Sequence, residues 1–171
     1  MSKLCKVSYK YRKSLVPLLA LLLVGCGCAR PNFKEFSLAR CGLVVQMPSE
    51  PKEEIDTALG IMRYTARVGN STYVVSCNDV SANTDQMLHV AVQNTMDNVG
   101  ATLDSQMLIE LDGNPGCDFE GSTMIGGQHV VVRARAYLAG NRLIQTTVLG
   151  VRGQVSAADV ATYLASLKLL E

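Results

Sequence analysis

A two-residue hydrophobic period opens the patterned part of the chain. Leu43, Val45 and Met47 recur at every second position, and Pro48 follows them. A period of two predicts a strand with one buried face, and proline, which has no N–H to donate, predicts its end. The polar stretch 49–58 that follows is predicted to be a loop.

Glycine-containing turns separate the next strand-like segments. Gly69-Asn70 lies between two of them, and glycine at the first turn position permits the positive φ of a type II′ hairpin turn. The same arrangement recurs further along the chain, which predicts a second set of antiparallel strands. The predicted segments are a hairpin of 61–68 with 71–80, a short strand at 105–111, and a three-stranded meander of 117–125, 128–138 and 142–151.

Two other segments have the period of an amphipathic helix. The first is predicted over 84–99, with Asn83 as its N-cap and Gly100 as its stop. The second is predicted over 157–169, with Ser156 as its N-cap. The order of elements predicts an α+β fold, in which an antiparallel sheet of hairpins and a meander is flanked by two amphipathic helices.

The N-terminus has the pattern of an export signal. Residues 1–14 contain five Lys and Arg and no acidic residue, and residues 15–24 are apolar apart from Pro17. The apolar run is shorter than the roughly 20 residues that a membrane-spanning helix needs. The pattern therefore predicts a secretory signal.

The end of that signal resembles the bacterial lipobox. Leu23-Val24-Gly25-Cys26 has the leucine, the small residue and the cysteine of this motif at the expected place. In that family the cysteine thiol receives a diacylglycerol and becomes the acylated N-terminus. The resemblance implies a lipoprotein signal peptide at 1–25, lipidated Cys26 with a tether at 26–35, and a single α+β domain at 36–171. It also implies a lipid-anchored, extracytoplasmic location, at the periplasmic face or the cell surface.

Removal of the signal changes the charge of the chain. Five of the 16 Lys and Arg lie in the signal, so 11 remain against 15 Asp and Glu. Binding to nucleic acid, which requires a clustered basic face, is therefore not expected.

The sequence contains no recognisable catalytic motif. It lacks G-x-S-x-G, a P-loop, G-x-G-x-x-G and H-E-x-x-H. Asp118 and Glu120 share one strand face, which we interpret as a solvated face rather than a pair of catalytic carboxylates. His89 and His129 are isolated, and Cys28 beside Cys26 has no second pair of ligands, so no metal and no cofactor are predicted. The chain is not predicted to be an enzyme.

Several longer segments resemble the PsbP/Mog-type α-β-α sandwich, a group that includes bacterial lipoproteins. The resemblance covers most of residues 36–171 and implies a module that binds and organises partners. It implies no active site, because fold does not determine function. The segments are SLARCGLVVQMPSEP, DGNPG, VVVRARAYLAGNRLIQTTVLG and SAADVATYLASLKLLE.

These features together favour a membrane-anchored, non-catalytic binding or assembly-support module with a protein partner. One alternative is a carrier of lipid or a small molecule in a cleft between sheet and helix. Another is a hydrolase whose site is not recognised.

One strand face is the candidate partner-binding surface. Arg133, Arg135 and Tyr137 alternate onto the same face, and Arg142 could extend it across the hairpin. Arginine beside an aromatic residue is enriched at protein–protein interfaces. The alternative is a solvated strand face on which long side chains shield the sheet.

Three cysteines of the predicted domain remain for disulfide chemistry. Export to an oxidising compartment favours one disulfide among Cys41, Cys77 and Cys117, with the pairing open. Buried free thiols would show the same alternation with apolar residues.

Overall fold

The computed structural model describes residues 31–81 and 85–170. The predictions for the signal peptide, for the lipid on Cys26 and for Asn83 as an N-cap therefore lie outside the described residues. No helix within the described ranges is long and apolar enough to cross a membrane.

Antiparallel strands and two helices make up the described residues. The helices are α1 (Asp85–Val99) and α2 (Ala157–Ala165). The strands are β1 (Lys34–Leu38), β2 (Leu43–Met47), β3 (Lys52–Asp56), β4 (Ile61–Val68), β5 (Ser71–Asp79), β6 (Thr102–Leu111), β7 (Asn114–Ile125), β8 (Gln128–Ala139), β9 (Arg142–Val151) and β10 (Lys168–Leu169).

The strands form two sheets. The larger sheet has seven strands in the order β3-β4-β5-β9-β8-β7-β6, with β3 and β6 at its edges. The smaller sheet has the order β1-β2-β10. Neighbouring strands in both sheets pair antiparallel. The predicted meander is confirmed as β7, β8 and β9, and the predicted hairpin as β4 and β5.

Each face of the large sheet is covered by a different helix. On the face that we call the α1 face, buried residues of α1 share a core with Phe119, Val132 and Leu138. On the opposite face, the α2 face, α2 and the small sheet share a core with Tyr73 and Val148. The sheet is thus enclosed between helical layers, and the predicted α+β fold is confirmed.

The prediction of a polar loop at 49–58 is wrong, because Lys52–Asp56 form strand β3. Its sequence KEEID has no hydrophobic alternation, and all five residues are exposed. The strand forms because its backbone pairs with β4, from Lys52 opposite Thr65 to Asp56 opposite Ile61. An edge strand held by backbone hydrogen bonds leaves no buried face for a sequence pattern to reveal.

The second helix is shorter than predicted. Ser156 is its N-cap, as expected, and its hydroxyl accepts a hydrogen bond from the Asp159 N–H at 3.3 Å. The helix ends at Ala165 rather than at residue 169. The Ser166 hydroxyl then accepts from the Gln46 N–H at 3.0 Å, and Lys168 and Leu169 pair with β2. Competition from a neighbouring strand therefore ends the helix.

The folded part begins before residue 36. Strand β1 includes Lys34 and Glu35, which the sequence assigned to the tether. The ring of Phe33 packs edge-on against Tyr73, with 5.8 Å between ring centroids. The end of the predicted tether is therefore part of the domain.

Candidate functional site

The predicted partner-binding residues lie on the α2 face. Arg133 and Arg135 are half-buried and Tyr137 is buried, with 3% of its surface exposed. Burial also raises the pKa of the Tyr137 hydroxyl. The alternate positions on β8 face the α1 core, as strand periodicity requires.

Each of these arginines already has an acidic partner within the domain. Arg135 Nε donates to Asp118 Oδ2 at 2.7 Å, and Arg133 Nη1 donates to Glu120 Oε2 at 2.7 Å. These pairs lie directly opposite one another in the register of β7 and β8. The carboxylates that could have suggested acid–base catalysis are therefore arginine partners.

Arg142, the first residue of β9, is also paired. Its Nε lies 3.4 Å from Asp79 Oδ1. The structure brings Arg133 and Arg135 together beside α2, and Arg142 has a separate partner. A groove of about 380 Å³ runs along this part of the α2 face, with Arg152, Val155 and Ala161 also contributing to its lining. Its lining contains both signs of charge, since Arg133 and Arg135 are paired with carboxylates and Arg152 adds a third cation.

The cysteines that the structure describes form one disulfide and one free thiol. Cys41 and Cys77 are joined, with 5.8 Å between their Cα atoms, and both are buried. Cys41 lies between β1 and β2, so the bond ties the small sheet to β5 of the large sheet. Cys117 is a buried free thiol whose pKa is raised by burial.

The two histidines lie on different elements. His89 is an exposed residue of α1, and His129 lies near the start of β8. Among the described residues, no three His, Cys, Asp or Glu side chains are grouped so that they could hold a metal ion.

An apolar surface feature lies at the β6 edge of the large sheet. A cavity of about 260 Å³ opens between α1 and β6. Leu108 is 81% exposed and Met107 is 63% exposed, although both are large apolar residues. We call this surface, formed by Met107, Leu108 and the cavity, the edge site. The cavity is lined by Leu88, His89, Val92, Gln106, Met107, Leu108 and Cys117.

Sequence reasoning missed the edge site for a physical reason. The segment 105–111 was correctly expected to be a strand, but an apolar strand residue is normally assigned to the core. Only the strand order shows that β6 is at an edge, where Leu108 has no neighbouring strand to cover it. The signal available in the sequence was the uninterrupted apolar run Met107-Leu108-Ile109.

A second open groove lies on the α1 face near the other edge. Its volume is about 590 Å³, and Arg63 and Arg67 are exposed beside it. Lys52 lies 2.9 Å from Glu54, and this hydrogen bond and charge lower the pKa of the Glu54 carboxyl. The groove is wide and polar, unlike the edge site.

The comparisons with known proteins concern the fold. No protein-family model matches the sequence. No curated protein matches it either. The solution structure of cyanobacterial PsbP (CyanoP) from Synechocystis sp. PCC 6803 is similar over 86% of this chain and 98% of that chain, with 14% identity and a TM-score of 0.59. The fold is PsbP-like.

This likeness confirms the resemblance in fold that was inferred from the sequence segments. Two other structures are less similar. A crystal structure from Bacteroides thetaiotaomicron has 15% identity and a TM-score of 0.49, over 76% of this chain and 46% of that chain. A Pseudomonas aeruginosa protein of unknown function has 12% identity and a TM-score of 0.47, over 75% and 90%.

Proposed function

We propose that this protein is a lipid-anchored, extracytoplasmic module that binds a protein partner and does not catalyse a reaction. The anchor is inferred from the export signal and from the lipobox-like Leu23–Cys26 segment. The Cys41–Cys77 disulfide supports the location, because disulfides persist mainly in oxidising compartments.

The observation that carries the binding role is the exposed edge site. Soluble domains rarely leave large apolar side chains together at a sheet edge, because an uncovered edge promotes aggregation. Met107 and Leu108 are nevertheless exposed and adjacent, beside a cavity. A surface of this kind is consistent with a partner that covers it.

The chemistry of the polar residues supports a role without catalysis. The carboxylates of Asp118 and Glu120 are held by Arg135 and Arg133, so neither is positioned as a free general base. The PsbP-like fold adds support, because the proteins of the PsbP/Mog-type group, which this chain resembles, bind and organise partners.

A carrier of lipid or a small apolar molecule is the second candidate. It is favoured by the apolar cavity between α1 and the sheet, which is where such a carrier would hold its ligand. The cavity is open to solvent at the edge, and its volume of about 260 Å³ is below the usual range for drug-sized ligands, which begins near 300 Å³.

Two measurements test the proposal. Chemical crosslinking in native membranes should join the protein to a defined partner, and Cys26→Ser should remove the acyl chains and leave a form that is either uncleaved or soluble. Cys28→Ser is the matched control and should remain cleaved and acylated. Native mass spectrometry should show no copurified ligand.

Contrary results have different meanings. A lipid that copurifies with the wild-type protein would show that the protein is a carrier rather than a binding module. Labelled acyl chains that persist in Cys26→Ser but disappear in Cys28→Ser would overturn the assigned anchor. Turnover of ester or peptide substrates would overturn the absence of catalysis.

A further inference from the structure

The two edges of the large sheet are built differently. Strand β3 is five residues long, and four of these residues are charged, which is a common protection against pairing with another chain. Strand β6 has ten residues, of which only Asp104 and Glu110 are charged. Within the described residues, β6 pairs with β7 on one side and leaves its other side open. Half of its backbone groups therefore point away from the sheet.

The side chains at this edge suit an added strand. Leu108 lies opposite Cys117 in the register and belongs to the α1 face, where it lines the cavity. An extended segment that pairs with β6 would place alternate side chains on that same face, next to the cavity between α1 and β6. Backbone hydrogen bonds would supply the pairing, and the cavity would accept an apolar side chain.

The charges on β6 and in the turn after it are of one sign. The acidic residues on the neighbouring strand β7, Asp118 and Glu120, are paired with Arg135 and Arg133, so they add no net charge here. Asp104 and Glu110 flank the Met107-Leu108 pair on β6, and Asp112 follows in the next turn. An apolar strip between carboxylates is complementary to an apolar segment between cations.

The same charges disfavour a second copy of this chain as the partner. Asp104 lies at a β-bulge of β6, and an antiparallel copy centred on Met107 would bring it close to Glu110 at both ends of the pairing. A copy centred on Leu108 would place Asp104 opposite Asp112. Like charges directly opposite each other on neighbouring strands are destabilising.

We propose that β6 is the docking edge for an extended segment of a partner protein in which apolar residues lie between Lys or Arg residues. The segment adds as a strand beside β6 and inserts an apolar side chain into the cavity. This inference rests on the proposed function as a binding module and names the surface and the class of partner.

A pair of peptides tests the proposal with the full-length protein in nonionic detergent. The first is acetyl-KTLVLTK-amide and the second is its charge-reversed counterpart acetyl-ETLVLTE-amide, both labelled for fluorescence anisotropy. The two peptides carry opposite charges at both ends, so only the lysine peptide places cations opposite the acidic residues of β6. We therefore expect the lysine peptide to bind at least about fivefold more tightly than the glutamate peptide. Glu110→Lys should reduce this preference.

Leu108→Glu is the decisive variant. Leu108 is 81% exposed, so the substitution should leave the thermal unfolding temperature unchanged while it weakens lysine-peptide binding at least about fivefold. Leu59→Glu is the matched control. Leu59 is 68% exposed and lies between β3 and β4, and its substitution should leave binding within about twofold of wild type.

Several results would overturn the docking edge. These are binding of neither peptide, equal binding of both, unchanged binding by Leu108→Glu, or a change of oligomeric state in Leu108→Glu during sedimentation. Photocrosslinking in membranes, from a probe at position 59 or at position 108, distinguishes failure of the docking edge from failure of the proposed binding function. A partner captured from position 59 but never from position 108 would leave the binding module intact and remove β6 as its docking edge.

Discussion

Arg135 joins the large sheet to helix α2 through two hydrogen bonds. Its Nε donates to Asp118 Oδ2 at 2.7 Å, and its Nη1 donates to the carbonyl oxygen of Leu164 at 3.2 Å. Leu164 lies in the last turn of α2, where free carbonyl groups make the helix end electronegative. The guanidinium therefore stabilises the contact between helix and sheet, in addition to any role at the surface.

Removal of this guanidinium should destabilise the domain. In Arg135→Ala the Asp118 carboxylate, whose side chain is 18% exposed, loses its charged partner. We expect the free energy of unfolding to fall by about 1–3 kcal/mol, measured by urea denaturation. Arg133→Ala is the control, because its side chain is 41% exposed, and its loss should be at most about 1 kcal/mol. Equal losses in the two variants would argue against the helix contact as the cause.

The Cys41–Cys77 disulfide should stabilise the domain. It closes a sequence separation of 36 residues between Cys41 and Cys77. The double variant Cys41→Ala/Cys77→Ala should lose about 2–4 kcal/mol, since a crosslink restricts the unfolded chain. Added reductant should lower the stability of the wild type and leave that variant unchanged. A wild type that is insensitive to reductant even when unfolded would contradict the expected bond.

Tyr163 should make stability fall at alkaline pH. Its hydroxyl donates to the Val74 carbonyl oxygen at 2.6 Å, and burial raises its pKa well above the ordinary value of 10.0. Below about pH 10 both states keep the proton, so this group adds no pH dependence. At higher pH the unfolded state loses the proton while the folded state retains it, so the free energy of unfolding decreases as pH rises.

Urea denaturation of Tyr163→Phe across the alkaline range checks this expectation. The variant should lose about 1 kcal/mol at neutral pH for the missing hydrogen bond. Above about pH 10, the free energy of unfolding of the variant should fall less steeply with pH than that of the wild type, by up to about 1.4 kcal/mol per pH unit. Tyr64→Phe is the control, because Tyr64 lies at a less buried position and its pKa is raised less. An unchanged slope in Tyr163→Phe would assign the alkaline loss to other groups.

The position of Phe33 predicts how short the domain can be made. A fragment of residues 31–171 retains Phe33 against Tyr73 and the whole of β1. A fragment of residues 36–171 loses both, together with the pairing of Lys34 and Glu35 with β2. Phe33 is partly buried, so its loss should cost less than the roughly 1.5–3 kcal/mol of a fully buried side chain, and the shorter fragment should unfold at a lower urea concentration. Identical urea midpoints for the two fragments would show that residues 31–35 do not stabilise the domain and belong to the tether.

Local pattern was sufficient for several elements that bury one face. The Leu43-to-Met47 alternation, the meander around Gly126-Gly127 and Gly140-Asn141, and the Ser156 cap were all predicted, because periodicity and turn chemistry act between residues close in the chain. The α+β class followed from the order of these elements, and the PsbP-like fold was implied by the resemblance of longer segments.

Strand order and long-range pairing decided what the local pattern could not. Strand β3 and the Lys168–Leu169 pairing depend on backbone hydrogen bonds to distant segments, which have no side-chain signature. The pairing of Arg135 with Asp118 depends on the register of β7 and β8. The exposure of Leu108 depends on β6 lying at an edge, which no periodicity within that strand reveals. An alternating sequence specifies a strand and its faces, but only the contacts between strands determine which side chains remain available to a partner.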